Sequence, residues 1–335
     1  MQWNGWPEYV AIAYLPVFFV GLVGNFLSIY VYTTPSMRKS TVAFLLYSLS
    51  ISDIFVLAFA LPVYSIPFLP IWDDMMNPFS TKRMLLFVSM KYFYPLCMIA
   101  KTVSLYIMVL ITVERWIAVC RPLQVHYLCT FRNSVKAVFI ICIFSVILNV
   151  SKFFEYKLSY NDLFGFMISA GILDTKKNWW YFMIYFVVIS VIFDYLLPFI
   201  FMFTANMKVV NELRRSRKER LLLTTSQLKD QNTTVMLLVV TILFGFCHFF
   251  GMALKIAESI IGDFLNDGMY EVIGEICNFL IVLHISTTFF IYYIFSARFR
   301  KVIQGLFSRR GDNSRGRKLL DSTLTTNCVV KNSSL

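Results

Sequence analysis

The sequence predicts an all-α membrane protein: a seven-transmembrane helix bundle followed by a short amphipathic interfacial helix. Three observations predict it. Of the 335 residues 58% are hydrophobic and the mean hydropathy is +0.66, more apolar surface than a water-soluble chain of this size can hide. Only 15% of residues are charged, and they cluster between apolar runs. Seven of those runs are long enough to cross a bilayer, for which ~20 residues suffice: 8–33, 42–69, 84–119, 135–154, 179–207, 232–261 and 272–295.

The first run follows a short segment, 1–7, that has no basic residues, and no small-residue cleavage site comes after it, so it reads as a first span rather than a signal peptide. The third and fifth runs exceed what crossing requires, which predicts tilt or protrusion. The many Phe and β-branched residues do not predict strands, because the runs lack period-2 alternation over ~10-residue units. Between runs five and six, 208-KVVNELRRSRKERLLLTTSQLKDQ-231 reads as two helix extensions joined by a polar turn. After run seven, 296-SARFRKVIQGLFSRR-310 spaces Phe299, Val302, Ile303 and Leu306 at helical intervals among Arg and Lys, the pattern of a helix lying in the membrane interface. The segment 311–335 is polar and predicted to be a disordered cytoplasmic tail.

Lys and Arg set the orientation. Of the 31, 21 fall in or beside 34–41, 120–134, 208–231 and 296–335, against six in or beside 1–7, 70–83, 155–178 and 262–271. The first set is therefore predicted inside, with the N-terminus outside and the C-terminus cytoplasmic. The net charge of +12 is then a topology signal, and nucleic acid is excluded as a partner because no basic soluble domain carries it. The same basic face suits anionic membrane lipid. None of the seven cysteines falls in an outside loop, so free thiols are expected, with Cys328 a palmitoylation candidate. Of the Asn-x-Ser/Thr sites, Asn232 and Asn332 face inward and Asn149 lies too close to the membrane for glycosylation.

Several motifs then occur in order on the seven spans: Gly24-Asn25; 49-LSISD-53; Glu114-Arg115-Trp116 with Arg121-Pro122-Leu123; Pro198; Phe244 with Cys247-His248; and 288-TFFIY-292 followed by Phe299. Together they resemble a rhodopsin-like (class A) G protein-coupled receptor over nearly the whole chain. Within that class, 113-VERWIAVCRPLQVHYLCT-130 and 149-NVSKFFEYKL-158 resemble the invertebrate, nematode-type FMRFamide-like neuropeptide receptors. The resemblance implies a plasma-membrane receptor, not an enzyme, that binds an extracellular peptide or small molecule and engages a heterotrimeric G protein, with arrestin as a further partner. The sequence departs from the family pattern in four places. No cysteine stands near the start of helix 3 or in 155–178, His248 and Phe250 replace the helix 6 Trp and Pro, Thr288-Phe289 replaces the helix 7 Asn-Pro, and helix 4 lacks its Trp. The family's outer disulfide is thus absent, as is the proline kink behind the swing of helix 6.

The resemblance implies that Glu114, Arg115 and Tyr292 form the G protein switch; an arginine that merely snorkels to the interface is the alternative. Asp53 is an intramembrane carboxylate and hence a functional candidate. The family holds sodium there, and Ser104, His284 and Thr288 occupy the partner positions. An imidazole suits a hard cation poorly, so an Asp53–His284 hydrogen bond or ion pair is the alternative to sodium. The implied ligand pocket comprises Cys97, Lys101, Asp194, His248, Lys255 and Glu275. Lys101 and Asp194 are read either as a mutual ion pair or as anchors for a charged ligand, Asp194 being able to take an arginine in bidentate fashion. Cys97 replaces the Asp of amine receptors, and helix 7 has no lysine to hold retinal, so neither an amine receptor nor an opsin is expected. The last residues, Ser333-Ser334-Leu335, fit a strand-addition ligand for PDZ-type domains. A chemosensory receptor for a small odorant or pheromone is the alternative within receptors. A channel or transporter is more remote, because no repeated half mirrors Asp53 and His284.

Overall fold

In hydrocarbon, each backbone N–H and C=O must be satisfied within its own segment, so apolar runs of this length become helices. The computed structural model describes residues 6–35, 37–38, 40–72, 81–161, 165–170, 180, 184, 188–219, 225–261 and 267–306. Its helices are α1 (Trp6–Thr33), α2 (Thr41–Tyr64), α3 (Thr81–Cys120), α4 (Phe131–Asn149), α5 (Leu197–Glu219), α6 (Thr225–Ile261) and α7 (Asp267–Phe295). Six are long and apolar enough to cross a membrane. The apolar part of α6 is shorter, Leu238–Leu254, within a helix that begins earlier than the hydropathy alone predicts. π-Helical turns interrupt α3 at Ser89–Phe93 and precede α5 at Val191–Leu196.

The central helix is α3, which packs against α2, α4 and α5. The ring is closed by α1 against α2 and α7, and by α6 against α5 and α7. Two apolar clusters fill the interior. One surrounds Leu49, Ile107, Ile111, Phe244 and Tyr292 in the half nearer Arg115, and the other surrounds Tyr14, Phe18, Leu57 and Cys97 in the opposite half. The outward faces remain apolar, with Phe139, Ile140 and Ile147 of α4 and Phe19 and Phe26 of α1 all exposed, as a hydrocarbon surround demands. Small residues allow helices to approach closely. A Cβ at Gly24 would lie 2.8 Å from Cβ of Phe289 on α7, and one at Gly21 would collide with Ser286 and Leu57.

Residues 297–306 form an eighth helix, α8. Its apolar face does not simply rest on lipid. Phe299 is fully buried, its ring 5.7 Å from that of Tyr32, 5.6 Å from Phe289 and 6.1 Å from Tyr292. The Arg300 guanidinium donates to the carbonyls of Tyr293 (3.1 Å) and Ile294, which satisfies the otherwise unpaired end of α7. Residues 311–335, Cys328 and the terminal Ser333–Leu335 among them, lie outside the described residues.

Beyond α4 the chain forms an antiparallel hairpin, β1 (Tyr156–Asn161) and β2 (Gly165–Ala170), with Leu158 opposite Ile168 and Tyr160 opposite Phe166. It lies over the start of α3. Lys91, on the π-helical turn of α3, donates from Nζ to the carbonyls of Phe153 and Tyr156, each at 2.6 Å. Those two bonds tie α3 to the base of the hairpin.

Two measurements test this packing. Gly24→Val forces α1 away from α7 and is expected to lower the yield of folded protein, at an overpacking cost of roughly 1–3 kcal/mol. Gly305→Ala, where a Cβ meets nothing within 4 Å, leaves the yield unchanged. Lys91→Met removes two charge-assisted bonds and is expected to cost about 1.5–3 kcal/mol in thermal unfolding, with Lys91→Arg milder. An unchanged melting temperature in Lys91→Met would show that the tether holds nothing.

Candidate functional site

At one end of α3, Glu114 is only 6% exposed and its Oε1 accepts a hydrogen bond from Ser134 Oγ of α4 at 2.9 Å. Thr41 at the start of α2 stands beside it, and the half-buried Arg115 is within electrostatic range. The glutamate thus bridges α3 to α4 rather than facing only its arginine neighbour, as expected because adjacent helical residues do not face each other. Tyr292 lies apart from this pair. Its buried ring packs edge-on to Tyr32 at 6.0 Å and joins α7 to α1 and α8. On the same half of the bundle, Asn206 of α5 donates from Nδ2 to Thr241 Oγ1 of α6 at 2.7 Å, both side chains being buried. Sequence reading missed this pair because an Asn and a Thr on separate runs carry no spacing signal.

Deeper in the bundle, Asp53 of α2 is 2% exposed and accepts from Ser104 Oγ of α3 at 2.5 Å. The alternative Asp53–His284 bond does not form. The polar group nearest the His284 ring is the Val240 backbone of α6, and the imidazole stands edge-on to Phe244 at 6.1 Å and to His248 at 5.9 Å. Thr288 turns its hydroxyl to the His284 carbonyl, 3.2 Å away. The donor set around Asp53 therefore supplies one carboxylate and one hydroxyl already engaged with it, plus an imidazole, whereas a hard cation takes a cage of oxygens. These residues do not fit sodium.

The residues assigned to a ligand pocket divide. Cys97 is 2% exposed and its thiol points to the Val56 carbonyl of α2 at 3.8 Å, inside an apolar cluster rather than a cavity. Glu275 holds α7 to α1, accepting from the Tyr14 hydroxyl at both its carbonyl (3.2 Å) and Oε2 (3.3 Å). His248 stacks on Phe244 at 4.2 Å and lies 5.9 Å from Tyr195. The side chain of Lys255 lies outside the described residues.

Lys101 and Asp194 do come together, with Tyr195 between α3 and α5, yet they form no ion pair. Asp194 accepts a hydrogen bond from Ser190 Oγ at 3.1 Å, and the Lys101 ammonium lies 5.7 Å above the Tyr195 ring. A third charge joins them. Lys152 follows α4 at a position that the basic-residue count treated as an outer edge, but it is 6% exposed, donates to Asn149 Oδ1 at 2.9 Å and lies within electrostatic range of Asp194 and Lys101. Asn149 is fixed in turn by donating to Thr102 Oγ1 (3.0 Å) and the Ser145 carbonyl (2.9 Å), so this sequon asparagine is an interior residue. Lys152 and Asp194 face one cleft of about 10 Å³ between α4 and α5. Its one sequence signal was a lysine three residues after an asparagine at the end of an apolar run.

Known proteins of similar sequence place this bundle in a family. Residues 13–310 match the family described as serpentine type 7TM GPCR chemoreceptor Srw. The chain is 36% identical to the FMRFamide peptide receptor frpr-18 of Caenorhabditis elegans over 88% of its own length and 68% of the receptor's. It is 28% identical to the FMRFamide receptor of Drosophila melanogaster over 87% of its length, spanning about half (52%) of that receptor. Galanin receptor type 1 of Mus musculus is 24% identical over 93% of this chain and 87% of the receptor. With the helices, their order and these sequences in agreement, the chain is a multi-pass membrane protein that belongs to the serpentine seven-transmembrane G protein-coupled receptors of the Srw family.

Proposed function

We propose that this receptor takes an extracellular amidated peptide of the FMRFamide type at the hairpin end and signals at the Arg115 end to a heterotrimeric G protein. The observation that carries the peptide reading is Asp194: a carboxylate on the turn leading into α5 that, among the described residues, has one hydroxyl donor and no cation in ion-pair contact, in the half of the bundle where a ligand enters. A peptide guanidinium supplies the two parallel N–H donors that such a carboxylate accepts. Receptors named for FMRFamide lead the similar sequences, which supports the same ligand class. The excess of Lys and Arg in the segments at the Arg115 end supports a cytoplasmic location for that end and for the C-terminus. The same basic face suits arrestin and anionic lipid, and Ser333–Leu335 offers a short PDZ-type ligand.

The resting bundle is fastened on its G protein side by two inter-helix bonds, Glu114–Ser134 and Asn206–Thr241. Ligand binding between α3 and α5 favours a second arrangement only as far as it binds that arrangement more tightly. In the second arrangement α5 and α6 separate, the Asn206–Thr241 bond opens, and Arg115 faces the G protein. The family description favours a second reading, a chemosensory receptor for a small molecule.

Two experiments test the proposal. In cells carrying a promiscuous G protein, FMRFamide is expected to raise calcium through the wild type. Asp194→Asn, with equal surface expression, is expected to raise the half-maximal concentration about tenfold or more, the equivalent of 1.4 kcal/mol. Silence across amidated peptides with a response to a small volatile sinks the peptide reading. Separately, Asn206→Leu combined with Thr241→Val removes one net hydrogen bond of about 0.5–1.5 kcal/mol, which shifts the resting-to-active ratio by roughly two- to tenfold. Raised basal signalling supports the latch; an unchanged basal level with lowered expression makes the pair a fold element only.

A further inference from the structure

We infer that the ligand also carries a carboxylate, which docks on the two ammonium groups of Lys101 and Lys152; this rests on the peptide reading above and narrows the peptide class. The argument starts from donors. Each ammonium has three N–H groups. Lys152 places one on Asn149 Oδ1, and among the described residues Lys101 makes no hydrogen bond or ion pair, its ammonium lying 5.7 Å above the Tyr195 ring. Five donors on two largely buried cations are thus unengaged. The one carboxylate between them, Asp194, accepts from Ser190 and pairs with neither. The other acid in range of Lys152 is Glu155, further out along the chain and engaged in an interaction of its own.

Burying an ammonium without an anion is costly, and truncating one member of a real buried pair is costlier still. Here the arrangement is fixed rather than accidental. Asn149 is held by Thr102 and Ser145 and orients Lys152 towards the cleft that Asp194 shares. Cations on α3 and α4 and a carboxylate on α5 suit a ligand with both signs: its guanidinium on Asp194 and its acid on Lys101 and Lys152. A neutral amidated peptide leaves the two ammoniums as they are. An acidic residue on the N-terminal side of the Arg-Phe-amide end satisfies them, as does a small carboxylate alone, though more weakly.

The test uses purified full-length receptor in nanodiscs and two pairs of probes. In thermal unfolding, millimolar N-acetyl-aspartate amide is expected to raise the wild-type melting temperature, and N-acetyl-asparagine amide is not. Lys101→Met is expected to abolish that rise while leaving the unliganded melting temperature equal or higher, because an unpaired ammonium has been removed. Lys152→Gln, which keeps a donor for Asn149, reduces the rise. In the signalling assay Asp-Phe-Met-Arg-Phe-amide is expected to be about tenfold more potent than Asn-Phe-Met-Arg-Phe-amide on wild type and equal to it on Lys101→Met. No stabilisation of wild type by the aspartate probe overturns the inference, as does a lower unliganded melting temperature in both variants with the aspartate response retained. Silence towards both peptides with the aspartate-specific stabilisation intact overturns the peptide reading alone and keeps the carboxylate site.

Discussion

A carboxylate inside a membrane-crossing bundle has no water to turn to, so its partner has to be another helix. Asp53 meets that constraint through Ser104, a bond that joins α2 to the central α3. The same rule places the other polar side chains. Asn149 bonds α4 to α3, Glu114 bonds α3 to α4, Tyr14 bonds α1 to α7, and Asn206 bonds α5 to α6. Apolar side chains give little preference for one helix neighbour over another when lipid is equally apolar. The few buried hydrogen bonds therefore decide which helix sits beside which, and the apolar clusters fill the space those pairings leave.

The exceptions to that pairing are the informative groups. The imidazole of His284 has only the Val240 backbone beside it, and among the described residues Nδ1 of His248 and the Lys101 ammonium make no hydrogen bond. All three lie between the Asp53–Ser104 bond and the hairpin end, on α7, α6 and α3. The half nearer Arg115 is fastened by Glu114 and Asn206, which both have partners on other helices.

Most of this architecture was legible in the sequence because the bilayer makes hydropathy a strong signal. Seven runs became seven helices, and the motif residues Asp53, Glu114 and Arg115 stand on the helices assigned to them. What the sequence concealed was the direction of side chains. Cys97 and Lys101 are four residues apart, about one helical turn, yet the thiol lies in the α1–α2 cluster and the ammonium reaches Tyr195 on α5. Lys152 read as an edge cation because a count of basic residues has no term for burial. The hairpin Tyr156–Ala170 did carry alternation and a glycine at the start of its second strand, signals overshadowed by the search for spans.

The absent prolines give the clearest view of how such a bundle can switch. Across its 37 residues α6 has no proline, so it has no built-in kink to straighten or deepen. A continuous helix moves as a lever, and a lever is controlled by where it is pinned. One pin is Asn206–Thr241, a single hydrogen bond to α5. The other region is His248, one turn beyond Phe244, held by ring contacts with Phe244, Tyr195 and His284 and by no bond from Nδ1. Ring contacts tolerate rotation, while a 2.7 Å hydrogen bond between two buried side chains does not. On the proposed switch, the pivot sits at the histidine and the latch at Thr241, two helical turns towards the Arg115 end. Tyr195 touches His248 and follows Asp194 directly, so the cleft's carboxylate stands one residue from that contact.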